Sequence, residues 1–427
     1  AFPDALIALD STNDGLFSVA GLVTESSRVE SRKEWPTGLT PSDMAIGDID
    51  GNNVIDVAVL CPGANMVQIF LGNASISGYE YVKAGLALLA GASRDLALAD
   101  MDDDGMMDVV LLNREGNAFI VIYYREQEDG RRFLGSYQTL LDDTPVSLAT
   151  GHFTQPLSGD KADFVDAAVL YPPFMNKNRI GVYASNSVVG MPIEAAGSVD
   201  AGFGTAKKLL AGNFDIHLYM GSTDSATRPD DLLVTTSELE NPEDHPTAAV
   251  LLFNETGHLK VSASQRPIVA GDAPAMAAVA DFDQLSTVGY DILDIAFITR
   301  VDGENPFWVM QPWLGKMDGT FKTTTFSGNI IESMAIENER NPVKIVAYPL
   351  RRTLNNFVQG KAGLVDLIVA NSGTGDFTVF VSKGSGMFYP KDEGSRDFAV
   401  GGNPIDIKAG YLRNPIDGTA PAGDAIY

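Results

Sequence analysis

The segment AIGDIDGNNVIDVAVL, residues 45–60, places acidic and amide side chains at alternate positions of a short loop between two apolar stretches. The apolar stretch after the loop is a short β-rich run that ends in turn-forming residues, CPG, at 61–63. An EF-hand would continue into a helix at this point. The segment therefore predicts a metal-binding turn that joins two β-strands.

The loop DIDGNNVID (48–56) and a second loop, DMDDDGMMD (100–108), carry candidate oxygen ligands at positions one, three, five, seven and nine. A hard divalent cation takes about six to eight oxygen ligands, which a tight loop can supply from these positions. An ordinary hairpin turn is the alternative, but three or four carboxylates in one turn repel each other unless a cation neutralises them. We predict calcium in both loops, with these ligands: Asp48, Asp50, Asn52, the carbonyl of Val54 and Asp56 in the first, and Asp100, Asp102, Asp104, the carbonyl of Met106 and Asp108 in the second.

Two further loops keep only part of this pattern. The segment ADFDQLSTVGYDILD, residues 280–294, retains Asp281, Asp283 and Asp294 around an insertion in which Asp291 is an additional candidate ligand. The sequence leaves open whether this loop binds a third calcium ion or forms a metal-free turn. In another repeat His152 takes the first ligand position, and since calcium sites avoid imidazole we expect a structural hydrogen-bonding role for it.

The strand before the loop recurs along the whole chain. A small-small-polar-apolar motif appears at AIGDI (45–49), ALADM (97–101), ATGHF (149–153), LAGNF (210–214), AVADF (278–282), IVAYPL (345–350) and IKAGYL (407–412). After each of the first six, an aspartate opens a second, apolar strand: Asp56, Asp108, Asp166, Asp231, Asp294 and Asp366. A third apolar strand and a more polar fourth strand follow, so each repeat predicts four strands.

Repeats of four short strands without helical periodicity are typical of a β-propeller, in which each repeat is one blade. Residues 4–23 supply a second and a third strand without a first, whereas IKAGYL supplies a first strand, so the two ends are expected to share one blade and close the ring. Residues 423–427 and residues 4–9 are alternative candidates for the second strand of this shared blade. We predict an all-β, seven-bladed β-propeller of four-stranded blades as a single domain over residues 1–427, with blades at approximately 1–40 plus 403–427, 41–92, 93–145, 146–205, 206–272, 273–340 and 341–402.

Together, the D-x-D-x-[DN] loop, the apolar strand after it, the Gly-rich hairpin and turns such as GSGMF (384–388) resemble the FG-GAP or VCBS repeat family. This propeller repeat occurs in integrin α-subunit heads and in many bacterial surface proteins. The resemblance implies calcium on the two complete blade loops, and a role in adhesion or interaction at a cell surface.

Charge and composition exclude several classes of protein. The formal net charge of −26 repels nucleic acid and anionic membrane surfaces. Because the sequence has no apolar run of about eighteen residues, we expect no direct membrane insertion. Open calcium loops commonly saturate at concentrations found outside cells, which favours an extracellular, cell-surface or periplasmic location. The chain could equally be one docking module of a larger chain or assembly.

The sequence contains no established catalytic motif, and its four histidines are scattered over different repeats. We therefore expect a non-catalytic scaffold that presents loops on one face to a protein or glycan partner. A carbohydrate-active enzyme of the lyase or dehydratase type remains the alternative, because fold alone does not determine function. Trp308 and Trp313 could stack on a sugar, but aromatic residues at this density in a strand favour the core.

Overall fold

The computed structural model describes residues 5–10, 16–23, 28–52, 54–75, 78–88, 93–124, 135–153, 165–175, 177–185, 194–200, 206–212, 214, 230–236, 248–252, 264–268, 272–284, 292–301, 303–316, 318–324, 328–349, 364–390, 396–399 and 402–410. In these ranges the regular structure is β-strand, apart from two short 3-10 helices at Pro62–Ala64 and Asn338–Arg340. None of the described helices has the length and hydropathy needed to cross a membrane.

The strands are numbered in chain order. The first fifteen are β1 (Ala5–Asp10), β2 (Leu16–Val23), β3 (Arg28–Pro36), β4 (Asp43–Gly47), β5 (Asp56–Cys61), β6 (Met66–Ser75), β7 (Gly78–Leu88), β8 (Ser93–Ala99), β9 (Asp108–Asn113), β10 (Ala118–Tyr123), β11 (Gly135–Leu140), β12 (Ser147–Gly151), β13 (Asp166–Phe174), β14 (Lys177–Ala184) and β15 (Glu194–Asp200). The others are β16 (Ala206–Gly212), β17 (Asp231–Thr236), β18 (Ala248–Leu252), β19 (Ser264–Ile268), β20 (Asp272–Ala280), β21 (Asp294–Val301), β22 (Phe307–Gly315), β23 (Phe321–Lys322), β24 (Met334–Ile336), β25 (Pro342–Tyr348), β26 (Asp366–Asn371), β27 (Asp376–Phe380), β28 (Ser382–Gly384), β29 (Met387–Phe388), β30 (Arg396–Ala399) and β31 (Pro404–Gly410).

Antiparallel strands that follow one another in the chain form most of the sheets. Sheets 1 to 4 consist of β4–β7, β8–β11, β12–β15 and β16–β19, and sheet 6 consists of β25, β26, β27 and β30. Each sheet begins with the small-residue strand of the repeat, and the second strand starts at the repeated aspartate. The predicted all-β propeller is confirmed, with six sheets of four strands each when the terminal sheet is included.

The terminal sheet joins both ends of the described chain. Its order is β3-β2-β1-β31, and β1 pairs with β31 in an antiparallel register that places Ala8 opposite Ile407. β1 therefore occupies the second position, for which residues 423–427 were the other candidate; those residues lie outside the described ranges.

Sheet 5 consists of β20, β21, β22, β23 and β24. It departs from the predicted four-strand pattern because its outer edge is divided. β23 pairs with the end of β22 at Leu314 and Gly315, whereas β24 pairs with the start of β22 at Trp308–Met310, so sheet 5 has five strands. A two-stranded hairpin of β28 and β29 similarly separates β27 from β30 in sheet 6.

The apolar core lies between neighbouring sheets. The second strands β5, β9, β17 and β26 are buried along their whole length. Seven apolar clusters of described residues each join one sheet to the next, for example Leu60 of sheet 1 to Leu111 of sheet 2, and Ile368 of sheet 6 to Ile407 of the terminal sheet. Trp308 and Trp313 pack against two of these clusters, as the core interpretation expected.

The first strands of the sheets lie innermost and contact one another in turn. β4 contacts β8, and the contacts continue through β12, β16, β20, β25 and β31 back to β4. In the described part of the chain the contacts of these first strands close into a ring around the central axis of the propeller.

Candidate metal centres

Three groups of carboxylates converge on the loops between first and second strands. Within each group, one oxygen of every carboxylate lies within 4.8 Å of the others: Asp48, Asp50 and Asp56; Asp100, Asp102 and Asp108; and Asp281, Asp283 and Asp294. These are the first, third and last positions of the three loops identified in the sequence, on sheets 1, 2 and 5. Among the described residues, no other group of acidic, histidine or cysteine side chains has this arrangement.

Backbone hydrogen bonds fold the loop of sheet 1 around its first aspartate. Asp48 Oδ1 accepts the Asn52 N–H at 3.0 Å, and Asn52 Oδ1 accepts the Val54 N–H at 2.7 Å. Gly51 has a φ of 71°, in the left-handed region that glycine adopts without strain. The loop of sheet 2 is built in the same way, since Asp100 Oδ1 accepts the Asp104 N–H at 3.1 Å and Asp104 Oδ1 accepts the Met106 N–H at 3.0 Å.

The predicted ligands at the fifth and seventh positions stay predictions. Asp104 lies outside the carboxylate group of its loop. Asn52 and Asp104 each accept a hydrogen bond from a backbone N–H of their own loop. Val54 is buried, and Met106 packs against the apolar cluster between sheets 1 and 2.

The last aspartate of each group holds the loop to the sheet. Asp56 is fully buried, and its Oδ2 accepts the N–H groups of Ile49 at 2.7 Å and Asp50 at 3.2 Å. Its Oδ1 accepts the Gly72 N–H at 2.7 Å, at the far end of the third strand. One carboxylate thus ties together the loop, the second strand and the third strand.

The same kind of hydrogen bond recurs in the other sheets, including those in which the described residues form no carboxylate group. Asp108 accepts the N–H groups of Met101 and Tyr124, and Asp294 those of Phe282, Asp283 and Gly315. In sheets 3, 4 and 6 the equivalents are Asp166 with Phe153 and Ser185, Asp231 with Phe214, and Asp366 with Ser382. Sequence reasoning assigned this aspartate to metal in sheets 1, 2 and 5, and in the other repeats noted only that it opens the second strand. Its recurrence in all six repeats was the signal of a structural role.

Burial and neighbouring negative charges make ionisation of these carboxylates unfavourable in the absence of a cation. Burial, opposed by backbone hydrogen bonds and assisted by the charge of Asp50, raises the pKa of Asp56 to about 7. Burial, together with Asp102 and Asp104, raises the pKa of Asp108 to about 8. Burial and the charges of Asp283 and Asp281 also raise the pKa of Asp294 well above its usual value. A bound divalent cation would offset this repulsion and keep the carboxylates ionised.

His152 links two sheets through its backbone. Its N–H donates to Asp230 Oδ2 at 2.8 Å, and its carbonyl accepts the Asp230 N–H at 2.7 Å. Asp160 and Asp163 of the same repeat lie outside the described ranges, so the structural role expected for the His152 side chain stays a prediction. Asp291, the additional candidate ligand of sheet 5, lies outside the described ranges.

Glycine is needed at position 72 because the acidic loop of sheet 1 packs closely against the backbone there. A Cβ at this position would lie 2.5 Å from the carbonyl oxygen of Ile55 and 2.8 Å from Val54 Cγ1. We expect Gly72→Ala to lower the free energy of unfolding by about 2 kcal/mol, because the backbone around Asp56 must move. Urea denaturation measures this, with Gly303→Ala as the matched control, since a Cβ on Gly303 meets nothing within 4 Å. Equal losses in the two variants would show that the loop is not tightly seated.

These observations define an all-β propeller with three acidic loop sites. No protein-family model matches the sequence, and no curated protein matches it. The fold is similar to that of a Lactobacillus plantarum protein, at 12% identity and a TM-score of 0.52 over 96% of this chain and 100% of that chain. It is also similar to a Bacteroides uniformis protein proposed to be a 6-phosphogluconolactonase, at 12% identity and a TM-score of 0.51 over 96% of this chain and 99% of that chain. At such low identity the similarity establishes the fold alone, and the resemblance to FG-GAP or VCBS repeats stays a prediction.

Proposed function

We propose that this chain is a calcium-binding, seven-bladed β-propeller that serves as a non-catalytic scaffold for a protein or glycan partner. The observation that carries the proposal is the set of three carboxylate groups at equivalent places on sheets 1, 2 and 5. A cell-surface, secreted or periplasmic location follows from the same proposal, because open calcium loops commonly fill at extracellular calcium concentrations.

The proposed number of seven blades includes sheet 5, which we interpret as a blade with a divided fourth strand. β23 and β24 pair with opposite ends of the same neighbour, β22, and therefore share one position at the outer edge. The cyclic contacts of the seven inner strands support a seventh blade at this place in the ring.

Calcium suits the chemistry of the three groups better than a transition metal. Each group presents carboxylate oxygens alone, without the histidine or cysteine ligands that zinc and copper favour. A flexible loop with several oxygen donors also suits calcium better than magnesium, which demands near-ideal octahedral geometry. The residues that would hold the ions are Asp48, Asp50 and Asp56; Asp100, Asp102 and Asp108; and Asp281, Asp283 and Asp294.

A scaffold role accounts for how the carboxylates are held. Asp56, Asp108 and Asp294 are fixed by backbone N–H groups on both oxygens, which suits a rigid structural site better than acid or base catalysis. Calcium would then stiffen the loops at one end of the propeller, where a partner would bind.

Calcium titration by isothermal calorimetry tests the proposal. We expect three ions per chain, one for each carboxylate group, and the loss of one ion in each of the variants Asp50→Asn, Asp102→Asn and Asp283→Asn. Asp142→Asn is the matched control, because Asp142 is exposed and lies outside the three groups. Absence of binding at millimolar calcium, or an unchanged stoichiometry in the three variants, would contradict the calcium assignment. Screening of glycans and proteins with and without calcium then tests the scaffold role.

A further inference from the structure

A second set of charged side chains lies around the central axis, away from the acidic loops. This central cluster consists of Asp43, Asp95, Ser147, Lys208, Lys344, Asp406 and Lys408. All seven residues lie on inner strands, and Asp43, Asp95, Ser147 and Asp406 occur at the start of β4, β8, β12 and β31. The sequence motif of the first strand begins two residues after Asp43, Asp95 and Ser147 and one residue after Asp406, so it did not include these four.

Four members of the central cluster bind the backbone of the next sheet. Asp43 Oδ2 accepts the Leu96 N–H at 3.0 Å, and Asp95 Oδ2 accepts the Leu148 N–H at 2.8 Å. Ser147 Oγ accepts the Leu209 N–H at 3.3 Å, and Asp406 Oδ2 accepts the Met44 N–H at 3.2 Å. Each bond therefore fastens one inner strand to the inner strand of the following sheet.

Lysines form ion pairs with two of these carboxylates, Asp95 and Asp406. Lys208 Nζ lies 2.7 Å from Asp95 Oδ1, and Lys344 Nζ lies 3.2 Å from Asp406 Oδ1. Lys408 Nζ is 3.7 Å from Asp406 Oδ2. Although burial opposes ionisation, Lys344 and Lys408 hold the pKa of Asp406 below its usual range.

The contact made by Asp406 differs from the others in its place in the chain. β8, β12 and β16 each follow the preceding sheet along the chain, so the polypeptide itself keeps them near their neighbours. β31 and β4 are separated by almost the whole chain, and only non-covalent contacts hold them together. Asp406 binds β25 on one side through Lys344 and β4 on the other through the Met44 N–H.

We propose that Asp406 is the latch that closes the propeller, by fastening β31 between the inner strands of sheets 6 and 1. The latch works independently of the calcium loops, which lie on the connections to the second strands. Loss of the Asp406 charge leaves the Lys344 ammonium without its nearest counter-charge and frees β31 and β1 to separate from the ring before the remaining sheets unfold.

Hydrogen exchange followed by mass spectrometry tests the latch in the full-length protein at saturating calcium. Asp406→Asn keeps the side-chain size and an oxygen for the Met44 N–H but removes the charge. We expect amides of β31 and β1 to exchange about tenfold faster, with β5 and β9 unchanged. Asp95→Asn is the matched control, since it removes an equivalent carboxylate with a lysine partner, and β31 should keep its protection.

Three results would overturn the proposal. The amide exchange rate of β31 could be unchanged in Asp406→Asn, the exchange of all strands could accelerate equally in that variant, or Asp95→Asn could accelerate the exchange of β31 to the same extent. Should Asp406→Asn not fold, Lys344→Gln provides the second test, because it removes the ion pair and leaves the hydrogen bond of Asp406 to sheet 1 intact. The same selective exchange of β31 is expected, and its absence would exclude the latch.

Discussion

Replacing Asp56 with alanine is expected to lower the free energy of unfolding by about 3 kcal/mol without calcium, and by about 2.7 kcal/mol more at a calcium concentration of about one hundred times the dissociation constant, because one ion is then lost as well. The substitution leaves the N–H groups of Ile49, Asp50 and Gly72 without the carboxylate that they share. Each buried donor left unsatisfied costs about 1 to 3 kcal/mol, and relief of the repulsion with Asp50 returns part of the loss. Urea denaturation followed by circular dichroism measures the difference.

Two companion variants separate the structural role of Asp56 from metal binding. Asp366→Ala removes the equivalent hydrogen bond to Ser382 in a sheet that has no carboxylate group among the described residues, and should also destabilise the fold at any calcium concentration. Asp318→Ala removes an exposed aspartate that accepts two hydrogen bonds from Thr320 within its own turn, and should change stability by no more than about 0.5 kcal/mol. A loss in Asp56→Ala that appears only in the presence of calcium would mean that this aspartate is simply a metal ligand.

Removal of calcium is expected to lower the melting temperature by about 8 °C. At a calcium concentration of about one hundred times the dissociation constant, each site adds about 2.7 kcal/mol, so three sites add about 8 kcal/mol. In a chain of 427 residues, about 1 kcal/mol corresponds to about 1 °C. Differential scanning calorimetry in excess calcium and in excess chelator measures the shift.

The triple variant Asp50→Asn, Asp102→Asn, Asp283→Asn is the control for this shift. It keeps the three aspartates that bind the backbone, Asp56, Asp108 and Asp294, and should therefore fold. Its melting temperature should no longer respond to chelator. Identical melting curves for the unmodified protein with and without chelator would show that calcium does not stabilise the fold.

Local sequence was sufficient to predict the acidic loops and the strands that flank them. The first, third and last aspartates of a loop are close in sequence, so their convergence depends only on a tight turn, as at Gly51 and Gly105. The apolar second strands were equally clear, because they are buried on both faces and read as continuous apolar runs. The partial loop of sheet 5 could be recognised but not resolved, because an insertion separates Asp283 from Asp294.

Features that depend on partners in another sheet could not be predicted. Asp406 and Met44 are 362 residues apart, and no local pattern connects them. The division of the outer edge of sheet 5 depends on which part of β22 each short strand reaches.

The pairing of β1 with β31 also constrains biosynthesis. A ribosome makes β1, β2 and β3 before the other described strands, yet the partner of β1 is the last described strand to emerge. Until then the inner edge of β1 presents unpaired N–H and C=O groups, which can recruit strands of other nascent chains. Such a long-range pairing is slow to form, so chaperone demand should be greatest just before the ring is completed.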